Sequence, residues 1–428
     1  MTNETMTRTE KGWLYQPKFP DHWEHCSLYS MANWVNGLAF REINFSTSGM
    51  PIIKIAEIKE GISSQTKFTK QTFDESVRVR PGDLLFSWSG QPETSIDAFR
   101  WSGPEGWLNQ HVFRVTPIDG INPIFFYYLL HYLKPHFIGI ARNKQTTGLG
   151  HVTKRDLENI QAAYPVLSEQ LAIANILGTL DGKIQLNKQM NKTLEDIAQA
   201  IFKRWFIDFE FPNENGEPYK SSGGEMVESE LGMIPKGWDI GIFSDLCVLT
   251  MGLSPKGAFY NSSNEGYPLL NGATDFQNGV ISPTKYTSKS TRLCKRGELL
   301  ICVRGTIGNL TYADKEYCLG RGVASVSAKE EIFREYIFFI LKEKINHLIS
   351  QASGSVILGL SKPDIENIRI IVPPKNIVSD YHKISFDIFL EKSLVTEENT
   401  KLSKIRDLLL PKLMTGKIRV PLEEQNVQ

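Results

Sequence analysis

No cysteine pair and no cysteine–histidine cluster occurs in the 428 residues: Cys26, Cys247, Cys294, Cys302 and Cys318 stand singly, at irregular spacing. An odd, scattered set is poor for a disulfide framework and poor for zinc, so buried free thiols in a reducing compartment are expected. Charge of one sign is missing too. The 48 basic residues balance 48 acidic ones, with a pI near 7.1. Bulk attraction to a polyanion is thereby excluded, and any grip on nucleic acid must use local patches or borrow charge from a partner. Long hydrophobic runs are also absent. The most apolar stretch, Ile124 to Leu133, falls far short of the ~20 residues a membrane span needs. The opening MTNETMTRTEKGW has no apolar signal-peptide core. A cytoplasmic protein without a membrane role is expected.

Signatures of catalysis are lacking as well. There is no GxxxxGK[ST] phosphate loop, and no GxGxxG follows a strand; Gly148-Leu149-Gly150 precedes a polar turn instead. Asn122-Pro123-Ile124-Phe125 half resembles the Asn-Pro-Pro-aromatic loop of an amino-methyltransferase, but no cofactor loop precedes it, and it reads as a helix start. Pro363-Asp364 is followed by no well-spaced Glu-x-Lys, and the 8 histidines show no paired metal spacing. The chain reads as a recognition or scaffolding protein, not a catalyst, with no metal or cofactor of its own.

What is present is a repeat. Phe19 to Glu24 returns as Ile234 to Asp239, an offset of 235 − 20 = 215. Pro81-Gly82-Asp83-Leu84-Leu85-Phe86 returns as Arg296-Gly297-Glu298-Leu299-Leu300-Ile301, again at 297 − 82 = 215. Phe126 to Leu130 pairs with Ile337 to Leu341 at 337 − 126 = 211, and Asp156-Leu157-Glu158-Asn159-Ile160 with Asp364-Ile365-Glu366-Asn367-Ile368 at 364 − 156 = 208. The period is too long for a solenoid, whose repeats run ~20–50 residues. A whole domain has been duplicated.

Within each copy, short apolar runs between Gly, Pro, Asn and Asp read as strands, among them Pro51 to Ile55, Asp83 to Trp88 and His111 to Thr116. Pro123 to Leu133 and Glu335 to Ile349 read as short buried helices. After Pro165 the apolar residues Ile173, Ile176, Leu180, Ile184, Met190, Leu194, Ile197, Ile201 and Trp205 recur at helical steps, with Asn187 as a polar seam position that sets register. The second copy repeats this with Ile377, Tyr381, Ile384, Ile388, Val395, Leu402, Ile405 and Leu409, until Pro411 is expected to stop it. A helix of ~40 residues is ~60 Å long. One apolar stripe cannot be buried alone, so the two helices are expected to pair, antiparallel.

The fold class is thus α+β: two mixed α/β domains separated by two long antiparallel, coiled-coil-like helices, with an internal pseudo-two-fold repeat. The expected boundaries are an N-terminal extension over 1–15, a first domain over 16–167, a helix over 168–210 and a Gly/Ser-rich, flexible connector over 211–232. A second domain over 233–374, a second helix over 375–415 and a tail over 416–428 follow.

Two related but unequal heads suit a target with two unlike parts, and duplex DNA is the natural one. Readout residue types lie in the loops. Arg142, Lys144, Gln145, Thr146 and Thr147 form one polar segment, followed by Lys154 and Arg155; its counterpart holds Ser350, Gln351, Ser353 and Ser355, then Lys362. A second pair of loops is Ser87-Trp88-Ser89-Gly90 and Arg304-Gly305-Thr306. Arg and Lys serve phosphates or guanine, and Gln serves adenine.

The chain resembles the specificity subunit of type I restriction-modification systems. The carriers are the two Pro-x-Gly-Trp-like starts, the strands at Gly82 and Gly297, and the connector Ser221-Ser222-Gly223-Gly224-Glu225-Met226. To these add Leu177-Gly178-Thr179-Leu180-Asp181-Gly182-Lys183-Ile184 and Leu408-Leu409-Leu410-Pro411-Lys412-Leu413-Met414-Thr415-Gly416-Lys417-Ile418. The resemblance implies two target recognition domains, each reading one part of a bipartite, asymmetric double-stranded DNA sequence, with helices that set the gap. It implies two modification subunits, binding S-adenosylmethionine and methylating adenine, docked on the helices. It also implies restriction subunits that use ATP and Mg. No base-contacting residue carries over from a motif. The competing readings are a protein-interaction scaffold without a DNA role and a diverged adenine methyltransferase.

Overall fold

The structure, a computed structural model, describes residues 6–9, 12–15, 17–145, 148–277, 280–352 and 359–421. The chain divides into two compact units, residues 1–185 with 399–428 and residues 186–398. Its helices include α1 (Pro123–Asn143), α2 (Lys154–Asn159), α3 (Leu167–Phe202), α4 (Arg334–Gln351), α5 (Lys362–Glu366) and α6 (Lys375–Met414). Both long helices, α3 and α6, cross the division, so each unit holds one mixed domain and part of each helix.

In the first unit, β1 (Ala32–Asn36), β2 (Leu84–Ser87), β3 (Asp97–Arg100) and β4 (Val112–Pro117) form an antiparallel sheet in the order β3-β2-β4-β1. A second small sheet pairs 50–53 with 106–108 in parallel, flanked by 68–69 and 78–79. Successive side chains of a strand point to opposite faces. Leu84 and Phe86 therefore enter one core, with Trp34 and α1, while Leu85 enters another, with Ile53 and Trp107. A strand covered on both sides reads as a continuous apolar run, and this is why Leu84-Leu85-Phe86 shows no alternation.

Helix α1 starts where Asn122 accepts from the N–H groups of Ile124 and Phe125, with Pro123 in the first turn. It was expected to end at Leu133 and instead continues to Asn143, through Pro135. The proline forfeits one helical hydrogen bond, but Phe137 and Ala141 beyond it remain buried in the same core and hold the helix on course.

The second unit repeats this plan. Strands β5 (Cys247–Met251), β6 (Leu299–Cys302), β7 (Leu310–Tyr312) and β8 (Val323–Ala328) run in the order β7-β6-β8-β5, all antiparallel. Again 267–270 pairs in parallel with 317–319. The repeated sequence landmarks have structural reasons. Gly82 and Gly297 take φ of +95° and +88°, open to glycine and costly for other residues. Asp156 and Asp364 each accept from the backbone N–H three residues earlier, of Thr153 and of Ser361, at 2.7 Å, and so cap α2 and α5. Trp23 and Trp238 are both buried.

The long helices pair antiparallel in each unit. In the first, Arg406 bonds Asp181, and Asn399 reaches the Ile184 carbonyl. In the second, Asn187 bonds Glu398, Asn191 bonds Thr396, and Lys392 pairs with Glu195. The facing stripe is more polar than the apolar periodicity suggests. Ile173, Ile184, Asn187, Trp205, Tyr381 and Val395 are buried as expected, and Ile176, Leu180, Leu194, Ile201, Ile377, Ile388, Leu402 and Leu409 are half-buried. Met190, Ile197, Ile384 and Ile405 face solvent instead. Their places are taken by Ala198, Phe202 and Ser385, because the inner stripe follows polar partners as well as methyl groups. Helix α6 also runs through Pro411 to Met414, where Leu413 and Met414 bury against the core that holds Trp23.

The stretch 211–232 is not a loose linker. Phe211 stacks on Tyr219 and on Trp238, with ring centroids 4.6 and 5.1 Å apart, and Met226–Ser229 pairs with Gly232–Pro235 as a hairpin. The first 15 residues contain a hairpin too, Met6–Thr9 with Gly12–Tyr15.

Candidate nucleic-acid interface

In each unit, the two loops singled out from the sequence are joined to each other. In the first, Ser89–Gly90 pairs antiparallel with Gly150–His151, and Val152 N–H donates to the Trp88 carbonyl. In the second, Arg304 bridges Gly359, and Leu360 N–H donates to the Val303 carbonyl. The loops following β2 and α1, and those following β6 and α4, thus each form one joined end.

The candidate side chains divide by what holds them. Ser87 is fully buried and its hydroxyl has no hydrogen-bond partner among the described residues, so it does not lie on the surface that the other candidates share. Trp88 is half-buried, donating from Nε1 to Asn36 Oδ1 at 3.0 Å and packing edge-on against His111. Arg142 pairs with Glu93 at 2.5 Å. Lys144 is tied to Asp156 at 2.5 Å; burial raises that carboxyl, but bonds from Lys144 and Thr153 outweigh it and hold it below its usual range. Gln145 donates to the Gly148 carbonyl. Lys154 lies over the Tyr29 ring and near Glu158. Arg155 is exposed and has no ion-pair partner among the described residues. Lys144 is therefore a fastener of its loop, whereas Arg155 and the exposed face of Trp88 remain open to a ligand.

In the second unit, Arg304 and Thr306 are exposed. Ser350 donates to the His347 carbonyl, and Lys362 pairs with Glu366 within α5. Gln351 closes α4. Thr146, Thr147, Ser353 and Ser355 lie outside the described residues. No group of side chains fit to hold a metal ion occurs among the described residues, nor a helix long and apolar enough to cross a membrane.

A third element, not picked out from the sequence, adjoins these loops. The turn Asn109-Gln110-His111 in the first unit corresponds to Gly320-Arg321-Gly322 in the second, and the same backbone bonds pin both. Asn109 N–H donates to Ile53 and Gly320 N–H to Leu270; Val112 N–H returns to Asn109 and Val323 N–H to Gly320. The carbonyls of His111 and Gly322 accept from Trp88 and Val303. Beside each turn is a Gly-Leu pair, Gly37-Leu38 and Gly252-Leu253, whose leucine N–H groups donate to Leu108 and Leu319 at 2.8 Å. A Cβ on Gly37 would overlap the Asn109 carbonyl oxygen, and one on Gly252 that of Gly320. That Gly-Leu pair, repeated at 252 − 37 = 215, was the available sequence signal.

Comparison with known proteins agrees with this geometry. The family described as type I restriction modification DNA specificity domain matches residues 20–223 and 235–425. The MjaIX type I restriction enzyme specificity subunit of Methanocaldococcus jannaschii is 29% identical over 333 residues, 73% of each chain. The HindI specificity subunit of Haemophilus influenzae is 27% identical over 404 residues, 79% of this chain and 87% of that one. The solved S subunit of a type I restriction-modification system from M. genitalium shares the fold with a TM-score of 0.54 at 15% identity, covering 93% of this chain and 99% of that one. Two duplicated recognition domains, two long antiparallel helices and a match over nearly the whole length lead to one conclusion: the chain belongs to the specificity subunits of type I restriction-modification systems, their non-catalytic, DNA-recognising component.

Proposed function

We propose that each unit reads one half of a bipartite, asymmetric double-stranded DNA target, and that α3 and α6 set the unspecified gap. One observation carries this reading. The two units share the strand order of their four-stranded antiparallel sheets, their pinned turns and their helix caps, yet differ in the loops that these hold together at one end. A common frame with unlike loops is what two different half-sites require.

The helices also offer a docking surface. In the second unit, Leu186 and Met190 on α3, and Ile384, Leu390 and Leu394 on α6, face solvent, where large apolar side chains mark interaction sites when they cluster. Two modification subunits are their proposed partners. S-adenosylmethionine would then be bound by those subunits, and ATP and Mg by restriction subunits that join the complex. The even charge balance fits, since partners would supply much of the DNA grip.

Insertion of matched whole turns into α3 and α6, followed by sequencing of the adenines methylated by the assembled complex, tests the spacing role. The gap is expected to lengthen with both half-sites unchanged. Altered half-sites with an unchanged gap would contradict it.

A further inference from the structure

We propose that the middle residue of each pinned turn reads a base directly: Gln110 an adenine in the half-site of the first unit, and Arg321 a guanine in that of the second. This rests on the DNA-reading role proposed above, and narrows it to two side chains.

The inference begins from the backbone. Asn109 to Val112 and Gly320 to Val323 make corresponding hydrogen bonds to corresponding strands, including the bonds from Trp88 and Val303 that tie each turn to the candidate loops. The two ends of the turn are thus anchored in the same way in both units, while the N–H of its middle residue donates to the Leu38 carbonyl in the first and to Ser254 Oγ in the second. The larger change is in the side chains. The first turn carries Asn-Gln-His and the second Gly-Arg-Gly.

Gln and Arg can each bond a phosphate, but phosphates are alike in both half-sites and give no reason for the side chain to change where the frame does not. The middle residues instead hold a neutral amide and a guanidinium. Both can make paired bonds to a single base in the major groove: the amide of Gln fits adenine N6 and N7, and the donor fork of Arg fits guanine O6 and N7. The neighbours agree with that role. Asn109 is buried, while Gln110 approaches the exposed His111 ring, Nε2 to Nε2, at 3.2 Å. Its amide oxygen makes no hydrogen bond among the described residues. Arg321 is exposed, flanked by two glycines that put no side chain beside it, and its guanidinium has no ion-pair partner among the described residues. Its backbone N–H is fixed by Ser254 Oγ at 3.2 Å. Reach and rigidity are therefore combined at one point in each unit.

The test exchanges the two chemistries in the full chain, assembled with its modification subunits. Methylated adenines are sequenced for Gln110→Arg and Arg321→Gln, with Gln110→Ala and Arg321→Ala beside them. Gln110→Arg is expected to change one position of one half-site from A to G, and Arg321→Gln one position of the other half-site from G to A. Each alanine variant should relax that same position, with discrimination falling about ten- to a hundredfold. The untouched half-site reports in every case that the chain is folded and assembled.

An unchanged sequence, with or without uniformly weaker methylation, would overturn the proposal and make the turn a backbone contact or a bystander. So would loss of all methylation in both variants of one turn while the complex stays assembled. Failure of the broader reading looks different: the unaltered complex would then methylate no bipartite sequence at all.

Discussion

Arg406 Nη1 donates to Asp181 Oδ1 at 2.7 Å between the two long helices, and Tyr128 donates to Oδ2 of the same carboxylate at 2.7 Å. In the second unit, the positions corresponding to Arg406, Asp181 and Tyr128 are Ala198, Phe389 and Phe339. The reverse holds for Glu195, which accepts from Lys342 and Lys392, whereas the corresponding positions in the first unit are Ser403, His131 and Ile184. The units share a backbone plan but fasten their helices with different chemistry. Polar contacts of this kind set register and partner choice. Replacing Arg406 with alanine leaves Asp181 half-buried with one donor fewer. The expected cost is about 1–3 kcal/mol, as for hydrogen bonds to charged groups. It is read as a lowered urea midpoint for the transition of the first unit.

Glu195 gives a pH dependence of definite sign. Burial alone would raise its carboxyl, but the hydrogen bonds from Lys342 and Lys392 outweigh it and hold the group below its usual value near 4.5. A carboxyl lowered in the folded state adds stability above the unfolded value and loses it as pH falls through the folded one. Thermal unfolding of the parent chain and of Glu195→Gln should therefore differ above pH ~5, and the difference should shrink steadily below pH ~4.5. A difference that is flat across that range would show that the lysines do not hold the ionised form.

Much of this architecture was legible beforehand. The repeat, the strands at Leu84 and Val112, and both long helices follow from periodicity and spacing, because burial on one face leaves a pattern in the chain. Other features left no such pattern. Pro135 and Pro411 read as stops, but buried residues on their far sides keep both helices intact. The polar composition of 211–232 concealed Phe211 and Tyr219, whose stacking on Trp238 and each other orders the segment. Ser87 looks like a loop residue, yet strand alternation turns it inward. At the candidate interface, residue type suggested which loops matter, but not that Lys144 is occupied by Asp156, nor that the turns at Gln110 and Arg321 belong to the same end. Those facts depend on contacts between segments far apart in sequence.

The two Gly-Leu pairs make a paired prediction. Gly37→Ala and Gly252→Ala each place a methyl group on a carbonyl oxygen of the turn opposite, Asn109 or Gly320. Both are backbone atoms and cannot turn aside. Each substitution is expected to cost more than about 2 kcal/mol, in the range of core overpacking. Alanine at Gly257, where a Cβ meets nothing, should be close to neutral. Melting temperatures of the three variants against the parent decide this, and equal stability of all four would contradict the crowding argument.

The central claim is that reading is modular, one half-site to each unit. It is tested most directly by replacing residues 20–150 with the corresponding domain of a related subunit of known specificity, then sequencing the adenines methylated by the assembled complex. The account predicts that one half of the bipartite sequence changes to that of the donor while the other half and the gap stay as they were. A change in both halves, or in neither, would contradict it.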